Sequence, residues 1–233
     1  MKPFCFKKFT IQQSPEVFRV GTDGVLLGVL CSVEKAKRIL EVGTGTGLIS
    51  LMLAQRNPNA SILALDIDEK AVHLAHKNFE NSPFKNRLSA EHRDYKTFST
   101  EERFDIIVSN PPYFEEIPYT QKDVLARQQV ELNFEELINS SARCLSEKGI
   151  FSVVIPIFSE AIFTDICRSK GLFLTRKTNI KGIKDGTVKR LILEFSFQPK
   201  SLVEDELTLE SSPRVYSQQY LDLTHDFHIF KTP

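Results

Sequence analysis

One segment constrains the fold more than any other: an apolar run that passes through three closely spaced glycines into a second apolar stretch. Residues 38–50 read Arg-Ile-Leu-Glu-Val-Gly-Thr-Gly-Thr-Gly-Leu-Ile-Ser. This pattern predicts a buried β-strand, a tight turn and a helix, the unit from which open parallel sheets are built. Glycines allow a sharp turn and let a ligand approach the backbone without meeting a Cβ atom. The segment therefore predicts an α/β fold with a ligand site at the turn.

The remainder of the chain continues the alternation of short apolar runs and amphipathic stretches, which is typical of a parallel sheet with helices on both faces. Strands are predicted over residues 38–42, 61–65, 87–91, 104–109, 150–155, 172–177 and 188–197, and helices over 48–56, 69–81, 134–145 and 159–169. The last two strands should pair antiparallel, because residues 179–187 are too few for a helical crossover. We expect a mostly parallel sheet of seven strands with one antiparallel strand near its carboxy-terminal edge.

The 233 residues, of which 41% are hydrophobic, are sufficient for one domain with a sizeable core. We expect residues 37–233 to form this core and residues 1–36 to form an extension that covers the ligand site. In the extension, residues 4–12 and 17–20 could form a small hairpin. Residues 23–33 could form a short helix capped by Thr22 or Asp23.

The spacing of the glycines indicates which ligand the turn binds. Gly43, Gly45 and Gly47 follow a G-x-G-x-G pattern, whereas a dinucleotide fingerprint would place its third glycine at position 48, which is Leu48. Nicotinamide and flavin dinucleotides are therefore disfavoured. S-adenosylmethionine needs no pyrophosphate site, and its charged amino-acid end can use the turn amides and the start of the helix.

Acidic residues at the ends of predicted strands are candidate partners for this cofactor. Glu41 is placed to receive the cofactor ammonium group. Asp66 lies about 20 residues after the glycine turn, at the position where a carboxylate accepts hydrogen bonds from ribose hydroxyls in such folds. Ile67, the next residue, is also predicted to contact the cofactor. Asp94, in the sequence His-Arg-Asp-Tyr, could accept from the adenine amino group, although an Asp at the end of a strand is often only a cap.

A second motif, Asn110-Pro111-Pro112-Tyr113, follows the strand predicted over residues 104–109, at the end where ligands bind in open α/β sheets. An exocyclic amino group is a poor nucleophile because its lone pair is delocalised. The Asn110 side-chain oxygen and the Pro111 carbonyl can accept hydrogen bonds from the two N–H groups of such an amine. These contacts localise the nitrogen lone pair toward a methyl donor. Tyr113 can stack on a planar group. Asn-Pro-Pro is also a common strand ending, but after a G-x-G-x-G strand it indicates methyl transfer to nitrogen.

The chain is not basic overall, since Lys plus Arg and Asp plus Glu number 30 each and the formal net charge is zero. Any nucleic-acid surface must therefore be local. The basic run from Arg168 to Arg190, with Lys7 and Lys8, could supply phosphate contacts, although such runs are commonly solvated faces, as is the acidic run beyond Val203. Arg127 is a further candidate RNA contact, with an ion pair to Glu131 as the favoured alternative.

Several classes of protein are disfavoured. Apolar runs do not approach the roughly 18 to 20 residues that span a bilayer, and the start of the chain lacks the apolar block of a signal peptide. The four cysteines are widely separated, as expected of reduced buried thiols. His73 and His76, like His225 and His228, lack the companions of a zinc site. We expect a cytoplasmic protein with no membrane segment, no metal and no obligate protein partner.

Beyond these motifs, the chain resembles the bacterial tRNA(Val) adenine N6-methyltransferase family, which modifies the adenine beside the anticodon. The resemblance rests on residues 18–28, 41–47, 110–114 and 189–195, and extends from the Phe-x-Phe-Lys-Lys-Phe start to the Tyr-Ser-Gln-Gln-Tyr sequence at 216–220. It implies a Rossmann-like class I methyltransferase fold, S-adenosylmethionine as cofactor, valine tRNA as substrate, and a supporting role for Thr22 and Asp23 over the cofactor. An adenine in the anticodon loop is already unpaired, so a pocket can take it at low cost.

Three alternatives stay open at this point. A ribosomal-RNA guanine N2-methyltransferase would share the second motif, and only the amino-terminal segment argues against it. A protein glutamine N5-methyltransferase acting on a release factor would share it too, but such enzymes usually carry a separate recognition domain. A catalytically silent RNA chaperone that binds the cofactor is disfavoured by the intact Asn110 and Tyr113.

Overall fold

The structure is a computed structural model that describes residues 1–111 and 134–229. Its strands are β1 (Phe4–Cys5), β2 (Thr10–Ile11), β3 (Arg38–Val42), β4 (Ser61–Asp66), β5 (Leu88–His92), β6 (Phe104–Ser109), β7 (Leu145–Pro156), β8 (Phe173–Ile183), β9 (Val188–Ser196), β10 (Val203–Ser212) and β11 (Val215–Tyr216). Its helices are α1 (Thr22–Leu30), α2 (Leu48–Arg56), α3 (Glu69–Glu80), α4 (134–144), α5 (Glu160–Ser169) and α6 (Gln218–Thr224).

Within the described residues, nine strands form one sheet in the order β11-β10-β8-β9-β7-β6-β3-β4-β5. Strands β3 to β7 are parallel to one another, and β9 inserts between β7 and β8 antiparallel to both. Strand β10 pairs parallel to β8, and β11 turns back antiparallel along β10. The carboxyl ends of β3, β6, β7, β8 and β10 therefore lie at one edge of the sheet, which we call the carboxyl edge.

Apolar side chains alternate between the two faces of the sheet and bury a layer on each. Ile107 and Phe151 pack on the face covered by α4 and α5, together with Phe134 and Phe163 from those helices. Ile39, Ile106 and Val154 face the other way, against α1 and α2. Because each central strand is covered on both faces, its sequence is a nearly continuous apolar run.

The predicted α/β class and all seven predicted strands, β3 to β9, are confirmed, and so is the antiparallel pairing of the last two. The predicted count was wrong, because β10 and β11 extend the sheet to nine strands within the described residues and reverse it at two places, β9 and β11.

Strand β10 is the acidic run that the sequence suggested to be a solvated face. Its carboxylates pair with basic side chains of β8: Lys181 Nζ lies 2.9 Å from Glu206 Oε2 and Arg176 Nη2 lies 3.2 Å from Asp205 Oδ2. The cross-strand register sets these partners diagonally, each acid two residues from the position opposite its basic partner. Three of the eight basic residues between Arg168 and Arg190, Arg176, Lys177 and Lys181, are thus balanced by the acids of β10.

The amino-terminal extension differs from its prediction in two respects. The hairpin consists of β1 and β2 alone, and residues 17–20 form no strand. Helix α1 begins at Thr22 after an N-cap at Gly21, without a side-chain cap from Thr22 or Asp23. The Asp23 carboxylate lies inside the first turn of the helix and pairs with Arg190 on β9.

Among the helices of the described segments, none has the length and apolar character needed to cross a bilayer.

Candidate active site

The glycine turn after β3 has two different functions. Gly43, Gly45 and Gly47 all have positive φ, at 76°, 54° and 80°. A Cβ atom on Gly47 would lie 2.5 Å from Cε1 of the buried Phe79 on α3, so packing requires glycine there. A Cβ atom on Gly43 would meet nothing within 4 Å. The turn is therefore closed against α3 at its far end and open at its start, where a ligand has room.

Glu41, at the end of β3, is a fully buried carboxylate with one oxygen committed and one free. Its Oε2 accepts from Thr44 Oγ1 at 2.9 Å, from the Ser50 amide at 3.1 Å and from the Ser50 hydroxyl. Its Oε1 is buried and has no hydrogen-bond partner among the described residues. Burial raises the pKa of Glu41 to about 7, and the nearby charge of Asp66 acts in the same direction. A buried acceptor of this kind is costly unless a ligand satisfies it.

Asp66, the last residue of β4, faces the glycine turn. Its Oδ2 accepts from the Gly45 amide at 2.8 Å and its Oδ1 from the Asp68 amide at 3.0 Å. Since a carboxylate oxygen has more than one lone pair, both can still accept from a ligand hydroxyl. The adjacent Ile67 side chain is 67% exposed, which is unusual for so large an apolar group.

Asp94 lies in the turn that follows β5. Its Oδ1 accepts from the Lys96 amide at 2.9 Å, and its carbonyl accepts from the Phe98 amide at 3.1 Å. This is the capping role that the sequence left open as the alternative for Asp94. The residue lies beside β4, at the carboxyl edge and on the same side as Asp66.

Asn110 and Gly43, the first glycine of the turn, follow neighbouring strands at the same level of the sheet. Strands β3 and β6 pair so that Val42 lies opposite Ser109, and the next residue on each strand is Gly43 or Asn110. Neighbouring strands are about 5 Å apart, so the two turns are adjacent. The Asn110 side-chain oxygen is buried without a partner in the part of the chain that the structure describes, and Pro111 is buried next to it. Pro112 and Tyr113 lie outside the described residues, as do Arg127 and Glu131.

The segment between β2 and α1 crosses this edge of the sheet. A Cβ atom on Gly45 would lie 4.0 Å from Val17 Cγ1, whereas Asp23 Oδ2 lies 3.1 Å from Arg190 Nε on β9. Since β6 and β7 lie between β3 and β9, residues 18–22 must pass the ends of these strands. Phe18 on this segment is 85% exposed. Phe18 was not predicted as a site residue and Arg190 was predicted only as part of the basic run, although each belongs to a segment that carries the family resemblance.

These residues fit S-adenosylmethionine. Two buried oxygens without partners, on Glu41 and Asn110, lie on adjacent strands, and the open start of the glycine turn is next to both. A group with an ammonium at one end and a nucleoside at the other would satisfy Glu41 and extend toward Asp66. By contrast, the described residues contain no cluster of three His, Cys, Asp or Glu side chains that could hold a metal ion.

The strand order, with one reversed strand inserted between β7 and β8, and the glycine turn beside an Asn-Pro turn define a class I S-adenosylmethionine-dependent methyltransferase. Residues 9–162 match the methyltransferase small domain family. A predicted O-methyltransferase from Agrobacterium tumefaciens has the same fold, with a TM-score of 0.72 over 88% of this chain and 96% of its own, at 19% identity. S-adenosylmethionine is the cofactor of this class.

Relatives of nearly equal length narrow the assignment. A protein from Flavobacteriaceae bacterium (strain 3519-10) is 54% identical over 99% of this chain and 100% of its own length, and one from Phocaeicola vulgatus is 44% identical over 97% of each. Both carry the name tRNA1(Val) (adenine(37)-N6)-methyltransferase. The chain belongs to the family of these tRNA methyltransferases.

Proposed function

We propose that this protein transfers the methyl group of S-adenosylmethionine to N6 of the adenine beside the anticodon in valine tRNA. The observation that carries the proposal is the pairing of Val42 with Ser109, which sets the glycine turn and Asn110 side by side. Family membership supports the substrate, since the relatives that match over the whole chain are named for this reaction. A protein that acts on tRNA works where tRNA is found, so we infer a cytoplasmic location.

In this proposal, residues of β3, β4 and β5 hold the cofactor. Glu41 Oε1 receives the ammonium, and the open backbone at Gly43 and Gly45 accommodates the amino-acid end. Asp66 accepts from the ribose hydroxyls while Ile67 covers the adenine ring. Asp94 accepts from the adenine amino group through an oxygen that its turn leaves available. Asp23 holds the amino-terminal segment over the site through its ion pair with Arg190, and Thr22 begins α1 beside it.

The bound cofactor supplies an electrophilic methyl group on a sulfonium. The protein orients the nucleophile. The Asn110 side-chain oxygen and the Pro111 carbonyl accept hydrogen bonds from the two N–H groups of the adenine amino group. This favours a pyramidal nitrogen whose lone pair points at the methyl carbon. Pro111 restricts the conformation of Asn110, so the acceptors are set before the substrate arrives. Positioning of this kind can contribute roughly 7 to 11 kcal/mol.

The remaining residues of the proposed site contact the substrate base. Pro112 and Tyr113 complete the motif, and we propose that Tyr113 stacks on the adenine. The exposed Phe18, on the segment that crosses the ends of β6 and β7, is suited to a second apolar contact with a planar base. An adenine that is already unpaired can enter such a pocket without disruption of a helix.

A direct assay tests this function. The purified protein is incubated with labelled S-adenosylmethionine and total bacterial RNA, and in parallel with valine tRNA transcribed in vitro, and the nucleosides are then separated. We expect label in N6-methyladenosine, and a transcript in which guanine replaces the target adenine should take up none. Label in N2-methylguanosine would favour a ribosomal-RNA guanine methyltransferase. Label in protein would favour a glutamine methyltransferase, and cofactor binding without methyl transfer would favour a silent RNA chaperone.

A further inference from the structure

His92, the last residue of β5, faces the start of helix α3. Side chains alternate between the two faces of a strand, so Leu88, Ala90 and His92 share one face. Leu88 and Ala90 pack in the cluster that contains Ala75 and Phe79 of α3. Helix α3 begins at the carboxyl edge, beside the end of β5, and the His92 side chain therefore lies next to the turn that joins β4 to α3.

The His92 side chain forms a hydrogen bond to this turn. Its Nε2 lies 2.9 Å from the Ile67 carbonyl oxygen. Since a carbonyl oxygen can only accept, the ring nitrogen carries the hydrogen and donates it. The next residue continues the contact: the Arg93 amide donates to the Asp66 carbonyl at 3.0 Å. Two successive carbonyls of the turn are thus held by two successive residues at the end of β5, and the bond to Ile67 depends on the identity of one side chain.

The position of Ile67 depends on such backbone contacts. Its side chain is mostly exposed, so packing contributes little to where it lies. The Asp66 carboxylate holds the residues on either side, because it accepts from the amides of Gly45 and Asp68. Neither of these bonds reaches the Ile67 carbonyl. The hydrogen bond from His92 therefore fixes the part of the turn that the Asp66 carboxylate leaves open, and it does so from the neighbouring strand.

We propose that His92 is a positioning residue for the adenosine half of S-adenosylmethionine. It does not touch the cofactor. It ties the Ile67 backbone to the end of β5, two residues before Asp94, and so sets the distance between the two residues on either side of the adenine. This inference rests on the proposed function, in which Ile67 covers the adenine ring and Asp94 accepts from the adenine amino group.

Calorimetry with two ligands tests which half of the cofactor depends on His92. S-adenosylhomocysteine carries both halves, whereas 5′-methylthioadenosine lacks the amino-acid end. We expect His92→Ala to raise the Kd of both ligands by the same factor, about 2- to 10-fold, as for the loss of one hydrogen bond. At saturating cofactor and RNA, kcat should stay near the wild type. Glu41→Gln should instead weaken only S-adenosylhomocysteine, because 5′-methylthioadenosine has no ammonium group.

Two further sets of variants test the route through Ile67. The amide nitrogen of a glutamine is as many bonds from the backbone as Nε2 of a histidine and can donate, whereas that of an asparagine is one bond closer. His92→Gln should therefore restore the affinity for both ligands, and His92→Asn should not. In an Ile67→Ala background, His92→Ala should cost less affinity than it does in the wild type, because the side chain that it positions is gone.

His76→Ala, at an exposed histidine of α3, is the matched control and should bind both ligands like the wild type. The inference is overturned if His92→Ala behaves like this control. It is also overturned if His92→Asn restores affinity as well as His92→Gln, or if the losses from His92→Ala and Ile67→Ala simply add. If the wild type makes no N6-methyladenosine but the ligand affinities change as expected, the proposed reaction is wrong and the role of His92 stands.

Discussion

Arg190 on β9 and Asp23 on α1 form an ion pair, Nε to Oδ2 3.1 Å, that joins residues 167 positions apart in the chain. Four residues along the same strand, the buried Glu194 accepts from the Ser32 amide at 2.7 Å and from the Ser32 hydroxyl at 2.8 Å, just beyond the end of α1. Strand β9 therefore holds α1 at both ends. This contact explains why two distant segments that carry the family resemblance belong to one structural unit.

The ion pair predicts energetic coupling between the two segments. Asp23→Ala and Arg190→Ala should each lower the free energy of unfolding, and the double variant should lose about 1 kcal/mol less than the sum of the two, because the pair is only partly exposed. Denaturant titrations of the four proteins give this coupling. If the pair also holds the amino-terminal segment over the cofactor, each single variant binds S-adenosylmethionine more weakly. Full additivity of the unfolding energies would show that the pair contributes nothing.

Asn110 is expected to act in turnover and not in cofactor binding. Asn110→Ala removes an acceptor that the described residues leave unpaired, so the fold loses little. We expect kcat to fall by about 100-fold or more, in line with the loss of one preorganised polar contact in a transition state, with the Kd for S-adenosylmethionine within a few-fold of the wild type. Calorimetry and single-turnover methylation separate the two quantities. A parallel loss of both would mean that Asn110 chiefly supports the local structure.

The two ends of the glycine turn should respond differently to the same substitution. Gly47→Ala places a methyl group 2.5 Å from Phe79, whose ring is buried, so we expect a loss of stability of roughly 2 to 5 kcal/mol from overpacking and left-handed strain. Gly43→Ala incurs only the strain, roughly 1 to 2 kcal/mol, but its methyl group enters the space assigned to the cofactor. Its affinity for S-adenosylmethionine should fall more than its stability. Equal affinities for Gly43→Ala and the wild type would place the ligand elsewhere.

Local patterns in the sequence were sufficient for the central part of the sheet. Strands β3 and β6 and helix α2 have the predicted bounds, because each is a short apolar run closed by a glycine, proline or polar turn. The same patterns located Glu41 and Asn110. They could not reveal that Glu41 Oε1 and Asn110 Oδ1 are left without described partners, since this depends on how neighbouring strands align.

The elements that were missed depend on distant partners. Strand β10 contains Glu204, Asp205 and Glu206 in succession, a composition that disfavours a strand in isolation. It forms because the basic side chains of β8 lie beside it and compensate its charge. Likewise, no local signal around Asp23 could indicate its ion pair with Arg190, which lies 167 positions away in the chain.

Glu41 should make the stability and the cofactor affinity of the protein depend on pH in opposite directions. Its pKa is raised by burial from 4.5 to about 7, so the unfolded chain releases this proton at lower pH than the folded protein does. The contribution of Glu41 to the free energy of unfolding is therefore full below about pH 4.5 and is lost as pH rises to about 7, by at most roughly 3 kcal/mol. An ammonium group, in contrast, binds only the ionised carboxylate.

Affinity for S-adenosylmethionine should accordingly fall as pH drops below about 7, by up to about tenfold for each pH unit. Glu41→Gln separates the two effects, because it keeps the shape of the side chain and one acceptor oxygen but cannot ionise. We expect the variant to unfold at higher denaturant concentration than the wild type at pH 8, and to bind the cofactor weakly with little dependence on pH. Calorimetric titrations and denaturation curves between pH 5 and 8 measure both. If the carboxyl of Glu41 has to ionise before it binds the ammonium group, the affinity must change as this carboxyl titrates. A wild-type affinity that is constant over this pH range would therefore exclude Glu41 as the ammonium partner.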